Sequence, residues 1–325
     1  MFDRILSAGQ KVLNGGSITR SEALDLAQAT GADIYILAAL ASKIREQYTG
    51  NRIDLCSIIN GKSGNCSEDC KFCSQSAFST CAIDTYPLLD EGKILQYVHD
   101  MERAGTHRFA IVTSGRGVTE HDPDFIAILR IIRRLSNETN LKLCVSLGEL
   151  TEEAALMLRE AGVSRYHHNL ETSEDFFPHI VTTHTYQDRI RTVKSARAAG
   201  MEICSGGIIG LGERMEQRID LAYALHDLNI DSVPINILDA IPGTPLGDEP
   251  PLLPPEIIKT FALFRFILPH AEIRSAGGRE KLLRDMQSIG LLAGLNGMMV
   301  GNYLTTNGRE IRDDLNLAND MGYSL

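Results

Sequence analysis

From residue 50 onward, short apolar runs alternate with longer stretches in which apolar residues recur every three or four positions. This is the pattern of strands and amphipathic helices taking turns around a parallel sheet. The predicted strands are 52–60, 107–113, 141–147, 164–171, 201–209, 231–238, 271–276 and 298–302. The helices lie near 90–104, 124–138, 150–162, 185–199, 213–227, 254–268 and 279–291. Eight strands with helical crossovers predict an α/β fold, a TIM-type (β/α)8 barrel, with reactive groups at the C-terminal ends of the strands and in the loops after them. Residues 1–49 are read as an N-terminal helical cap, and 50–325 as the barrel with a C-terminal helical tail.

Alternation along the strands also says which side chains point into the barrel, because neighbours on a strand face opposite ways. In LKLCVSLG, Leu141, Leu143, Val145 and Leu147 form an apolar face for the helices and leave Cys144 inward. The same alternation turns Cys56, Cys204 and Arg274 inward, and in YHHNLETS it turns His167, Asn169 and Glu171 inward.

Composition, 43% hydrophobic and 23% charged, is that of an ordinary globular chain. The formal net charge of −10, with Lys and Arg scattered, argues against a nucleic-acid partner, whose phosphates call for a basic stripe. The first residues lack the basic and apolar pattern of an export signal, and no window holds about 18 uninterrupted apolar residues. A cytoplasmic enzyme with no membrane partner is expected. Seven cysteines in that compartment stay reduced, so clustered cysteines point to metal rather than to disulfides.

GNCSEDCKFCSQS carries Cys66, Cys70 and Cys73 in a C-x3-C-x2-C spacing just after the first strand. Three thiolates this close on one loop suit three irons of a 4Fe-4S cubane and leave the fourth iron open to another ligand. A structural zinc ion would call for a fourth Cys or His at matching spacing, and none is there.

The triad, with the aromatic Phe72 before its last Cys, resembles the signature of the radical SAM superfamily. The segments CSEDCKFC, YHHNLETS, ICSGGIIGLGE, SVPINIL, GTPL and IRSAGGRE, spread from residue 50 to about 305, resemble the biotin synthase family within it. The resemblance implies that the open iron binds S-adenosylmethionine, which is cleaved to a 5′-deoxyadenosyl radical, and that dethiobiotin becomes biotin by sulfur insertion. It implies contacts to S-adenosylmethionine from Phe72, from Ser114 and Gly115 in TSGRG, from Asn169 and Glu171, from Arg189, and from Ile208 and Leu211 in the Gly-rich run GGIIGLGE. It also implies substrate contacts from His167, Asn169 and Asn236. Glu171 stands where the family more often has Asp. A low-potential donor such as flavodoxin or ferredoxin, and a homodimer, are implied by the resemblance alone.

In the family an auxiliary 2Fe-2S cluster held by three Cys and one Arg is the proposed sulfur donor. Cys144, Cys204 and Arg274 match three of those positions, but Ala110 stands at the fourth and cannot bind iron. Cys56 and Cys81 are extra. The expectation is therefore a rebuilt auxiliary cluster on Cys56, Cys144, Cys204 and Cys81, closer to a 4Fe-4S type, with Arg274 beside it as a compensating cation. Two other readings stay open at this point: a related radical enzyme acting on another small molecule without sulfur insertion, and an electron or cluster carrier with no substrate.

Overall fold

A computed structural model describes all 325 residues. In chain order the elements are α1 (Phe2–Leu13), α2 (Arg20–Ala27), α3 (Ala32–Thr49), β1 (Asp54–Lys62), α4 (Glu91–Arg103), β2 (Arg108–Thr113), β3 (Gly117–Val118), α5 (Pro123–Glu138), β4 (Lys142–Ser146), β5 (Glu149–Leu150), α6 (Glu152–Ala161), β6 (Arg165–His167), α7 (Tyr186–Ala198), β7 (Glu202–Cys204), β8 (Gly207–Ile209), α8 (Met215–Asp227), β9 (Ser232–Ile237), α9 (Pro254–Ile267), β10 (Glu272–Ser275), α10 (Arg279–Leu283), α11 (Gln287–Leu292), β11 (Gly297–Met299) and α12 (Ile311–Asp320). Their ends are written in the sequence. Asp122 caps α5 by accepting from the Asp124 and Phe125 N–H groups, and Pro123 occupies the first turn. Thr185 and Asp188 close a capping box on α7.

All pairings among the barrel strands are parallel, in the order β1-β2-β4-β6-β7-β9-β10-β11, and β11 pairs back onto β1. Crossing to the register partner and rising one residue at each strand leads from Cys56 through Phe109, Cys144, Tyr166, Cys204, Val233, Arg274 and Met298 back to Cys56. One residue per strand over eight strands is a shear of eight, the value of a (β/α)8 barrel. Phe109, Tyr166, Val233 and Met298 face outward into the large core beneath the helices. A separate small apolar cluster, Ile58, Ala110 and Cys144 with Val112, Met299 and Leu304 against it, lies inside the barrel.

Three predicted elements differ from the structure. The strand expected over 201–209 breaks into β7 and β8 at Gly206, where a Cβ would come within 3.0 Å of the Pro234 carbonyl oxygen, so the chain bends at the one residue that fits. The strand expected over 164–171 stops at His167, and Glu171 adopts φ 70. The helix expected over 279–291 divides into α10, a 3-10 turn over 284–286 and α11. Helices α1–α3 lie outside the ring, α2 against α8 and α9 and α3 against α9.

Candidate active site

The cysteine loop follows β1 at the C-terminal mouth of the barrel and is tied down on both sides. Cys66 and Ala77 exchange backbone hydrogen bonds with the return of the loop, Cys66 N–H to Gln75 O at 3.0 Å and Ala77 N–H to Cys66 O at 2.8 Å. The Asp69 carboxylate accepts from the backbone N–H groups of Thr182 and Thr183 and from the Thr182 hydroxyl. Glu68, buried next to it, accepts from the Thr183 hydroxyl at 2.6 Å and meets His184 Nδ1 at 2.5 Å. This clasp joins the loop to the segment that enters α7, the helix that carries Arg189. Sequence reasoning missed it, although Glu68, Asp69 and the run TTHT were visible.

Arg189 is buried over the Phe177 ring, 5.5 Å from its centroid. Its Nη1 donates to Asn169 O at 2.9 Å and lies 3.3 Å from Glu171, while its Nε has no acceptor. Burial pushes the Glu171 carboxyl up against the pull of Arg189. Burial likewise raises the Cys70 thiol, on which Arg189, Glu171, Cys73 and Cys66 also act. Burial pushes Cys73 up to about 11, with Cys66 and Glu171 adding to the shift. The structure thus brings the cysteine triad, Glu171 and Arg189 into one compartment.

Phe72 packs against the outer core. Ser114 holds the loop after β2 to the cysteine loop, its Oγ donating to Gly64 O at 2.7 Å. Gly115 faces open space at φ 139. Ile208 is half-buried on β8 opposite Asn236, and Leu211 is buried with its N–H on Glu213 at 2.6 Å. Asn169 and Asn236 both have protein partners. Asn169 Oδ1 accepts from Gly206 N–H at 3.2 Å; Asn236 Oδ1 accepts from Gly277 N–H at 3.0 Å, and its Nδ2 donates to Gly207 O at 3.3 Å.

Deeper in the barrel, Cys56, Cys144, Cys204 and Arg274 come from alternate strands and close into one level. This is the four-residue layer that fills barrels of this kind. All four are 0–1% exposed. Burial pushes the Cys56 thiol up to about 12, with Arg274 opposing and Cys144 and Cys204 reinforcing it. Cys144 is raised by burial against Arg165, Arg108 and Arg274. The level below contains Arg108 and Arg165. Arg108 pairs with Asp54 and Glu202, Arg165 with Glu202 and Glu272, and Arg274 with Asp54 and Glu272. One Nη1 each of Arg108 and Arg274 is buried with no acceptor. Three thiols that must ionise to bind metal, beside guanidinium groups with donors to spare, fit an anionic iron–sulfur cluster. No three Cys, His, Asp or Glu side chains are spaced for a single metal ion; ligands of a polynuclear cluster, each on its own iron, stand farther apart.

Cys81 is not brought to this layer. It lies half-buried on the loop between the triad and α4, its Sγ donating to Pro242 O at 3.3 Å, with Thr80 N–H on Gly243 O at 2.9 Å. The expected fourth thiol therefore docks against the loop after β9. Arg108 and Arg165 were missed as interior residues, although alternation with Ala110 and His167 points both inward.

A closed parallel barrel with a three-cysteine loop after its first strand defines a radical SAM enzyme, and residues 62–225 match the radical SAM superfamily profile. Residues 234–324 match the Biotin and Thiamin Synthesis associated domain. The chain is 58% identical over 325 residues to a biotin synthase of Carboxydothermus hydrogenoformans, covering 100% of both chains. It is 54% identical over 320 residues to that of Clostridium acetobutylicum, covering 98% of both. The chain belongs to the biotin synthase family. Among solved structures, methylornithine synthase superposes with a TM-score of 0.84 at 20% identity, covering 98% of this chain and 96% of that one. The FeFe-hydrogenase maturase HydG of Carboxydothermus hydrogenoformans gives 0.82 at 19%, covering 99% and 79%. At those identities the likeness speaks for the fold.

Proposed function

We propose that the protein forms biotin from dethiobiotin by radical insertion of sulfur held at the inner thiol layer. The triad Cys66, Cys70 and Cys73 would hold a 4Fe-4S cluster, and Cys56, Cys144 and Cys204, three thiolates able to serve three irons of a cubane as the triad does, a second cluster nearer the 4Fe-4S than the 2Fe-2S type. When bound, the first group cleaves S-adenosylmethionine to a 5′-deoxyadenosyl radical and the second contributes sulfide. A low-potential donor such as flavodoxin or ferredoxin would deliver the electrons.

The chain's own residues orient and insulate this chemistry. Arg189, with a spare Nε, offers a charge-assisted donor to the methionine carboxylate, and Glu171 an acceptor to ribose hydroxyls. The clasp of Glu68 and Asp69 fixes the cysteine loop relative to both. Arg165, Arg108 and Arg274 oppose the burial that raises the Cys144 thiol, and Arg274 does so at Cys56. Their carboxylate partners Asp54, Glu202 and Glu272 close the opposite end of the barrel. Asn236, on β9 above the thiol layer, faces the space between layer and mouth, where a ureido ring would exchange hydrogen bonds with its amide.

The single observation that supports this reading is the layer itself, three buried thiols and an arginine at one level. A carrier protein has no use for such a layer beneath the Glu171–Arg189 pair, and a radical enzyme that inserts no sulfur has no use for its thiols. The test is a single turnover of anaerobically reconstituted protein with S-adenosylmethionine, a low-potential reductant and dethiobiotin, after loading with 34S-sulfide. Biotin carrying 34S is expected. 5′-Deoxyadenosine without biotin would move the function to another substrate, and no 5′-deoxyadenosine would favour the carrier.

A further inference from the structure

One polar group in the level directly above the thiol layer is left without a partner. His167 ends β6, and its register partner on β7 is Cys204. Rising one residue per strand from Ala110 leads to His167, Pro234 and Met299, the level directly above Cys56, Cys144, Cys204 and Arg274. In that level only His167 can donate or accept a strong hydrogen bond. Its Nε2 is sealed from solvent and touches no donor or acceptor. The charges that reach the ring are those of Arg165, Arg274, Arg108 and Asp54; the same three arginines act on Cys144, and Arg274 and Asp54 act on Cys56. The ring therefore shares the compartment of the thiols. His168, the next residue, points the other way, toward Arg189 and His184.

A buried ring nitrogen without a partner carries an uncompensated desolvation cost, so its partner is expected to be what the layer below holds. We propose that His167 donates a hydrogen bond from Nε2 to a sulfur on the substrate-facing side of the inner iron–sulfur cluster. The inference rests on the two-cluster reading above. It assigns His167 to the cluster rather than to the substrate, and makes it the residue that holds the transferable sulfur in place. Pro234, Met299 and Ala110, the other members of the level, carry no such donor.

The test compares His167→Phe and His167→Asn with the wild type as reconstituted holoenzymes. The readouts are iron and sulfide content, the midpoint potential of the inner cluster, and the shift of its Fe–S stretches on exchange into deuterated water. Hydrogen bonds to cluster sulfurs raise the potential. Expected are about eight irons in all three proteins, a lower inner-cluster potential and a lost deuterium shift in the Phe variant, and partial return of both in the Asn variant. An unchanged potential and deuterium shift in the Phe variant would overturn the proposal. So would loss of about four irons from that variant alone, which would make His167 an iron ligand. About four irons in the wild type would instead remove the two-cluster reading on which the proposal stands.

Discussion

Gly207 holds the most exposed assumption about the S-adenosylmethionine site, and replacing it with alanine tests that assumption directly. An added Cβ would lie within 3.0 Å of the Glu171 carbonyl oxygen and carbon and of Leu221 Cδ2. Two of those atoms are backbone, so the clash cannot be relieved by a rotamer. Relief means parting the bridge between Glu171 and Gly207, with its Ile208 N–H to Glu171 O bond of 2.8 Å. That bridge also keeps Glu171 at φ 70, a conformation that disfavours a residue with a side chain. Overpacking costs about 1–3 kcal/mol and the broken bond about 1 kcal/mol more, so Gly207→Ala should lose about 3 kcal/mol. For a chain of this size the melting temperature would fall by about 5 °C. The Glu171 carboxylate would move off its position beside Arg189, and S-adenosylmethionine affinity should fall about tenfold. Glu171→Gln separates the two effects: its amide oxygen still accepts from Arg189 and the Gly207 bridge is untouched, so the melting temperature changes less than in Gly207→Ala while the affinity still falls. Scanning fluorimetry and titration calorimetry on anaerobic holoenzyme read both quantities. A Gly207→Ala protein melting within about 1 °C of wild type with unchanged affinity would refute the reasoning.

The remaining predictions concern metal content, acid and the C-terminal tail. Cys56→Ser, Cys144→Ala and Cys204→Ala should each lower iron from about eight to about four per chain, whereas Cys81→Ala leaves it unchanged, as iron and sulfide analysis will read. Burial opposes the ionised form of Asp69, but its bonds from Thr182 and Thr183 outweigh this and hold the carboxyl at about 2. Because the folded value is depressed, the contribution of Asp69 is complete above its ordinary value near 3.8 and is lost as pH falls toward 2. The stability gap between wild type and Asp69→Asn should therefore close across that window in acid titrations followed by circular dichroism. Asp314 and Arg279 pair in the interior and anchor α12 to α10. Asp314→Asn leaves that guanidinium buried with weaker partners and should cost about 3 kcal/mol in urea unfolding.

Where sequence succeeded and where it did not follows from the range of the forces involved. Strand and helix positions were legible because burial acts on every second or every third and fourth residue, so Leu143 and Val145 on one face gave Cys144 on the other. The break at Gly206 was not, because it comes from a close approach to Pro234, a residue 28 positions away. The end of β6 was missed for a similar reason: YHHNLETS alternates as well as a strand does, and only the bridge between Glu171 and Gly207 turns the chain left-handed there. Cys81 was grouped with the inner cysteines by residue type. Its position is set by the loop it docks on, through Thr80 and Gly243, and no local pattern announces that contact.

The position of Cys56 has a geometric logic that residue-by-residue comparison hides. Ala110 pairs with Ile58 and Cys144, so a thiol at 110 would stand one level above Cys144, on the strand between β1 and β4. A thiol at 56 stands at the level of Cys144 and Cys204, on the next alternate strand, with Arg274 as the fourth corner. Cys56, Cys144 and Cys204 therefore form a level set that surrounds the barrel axis, which a thiol at 110 would not join. A cluster held by these three thiols would lie near that axis, between the level below and the level above. Arg108 and Arg165, locked in ion pairs with Glu202 and Glu272, form the level below. Ala110, Pro234, Met299 and His167, whose Nε2 has no partner, form the level above. The paired charges below would favour retention of such a cluster, whereas the mostly apolar level above would leave its approach open. On the two-cluster reading, sulfur leaving this layer would move toward the mouth, the side on which the cysteine triad lies.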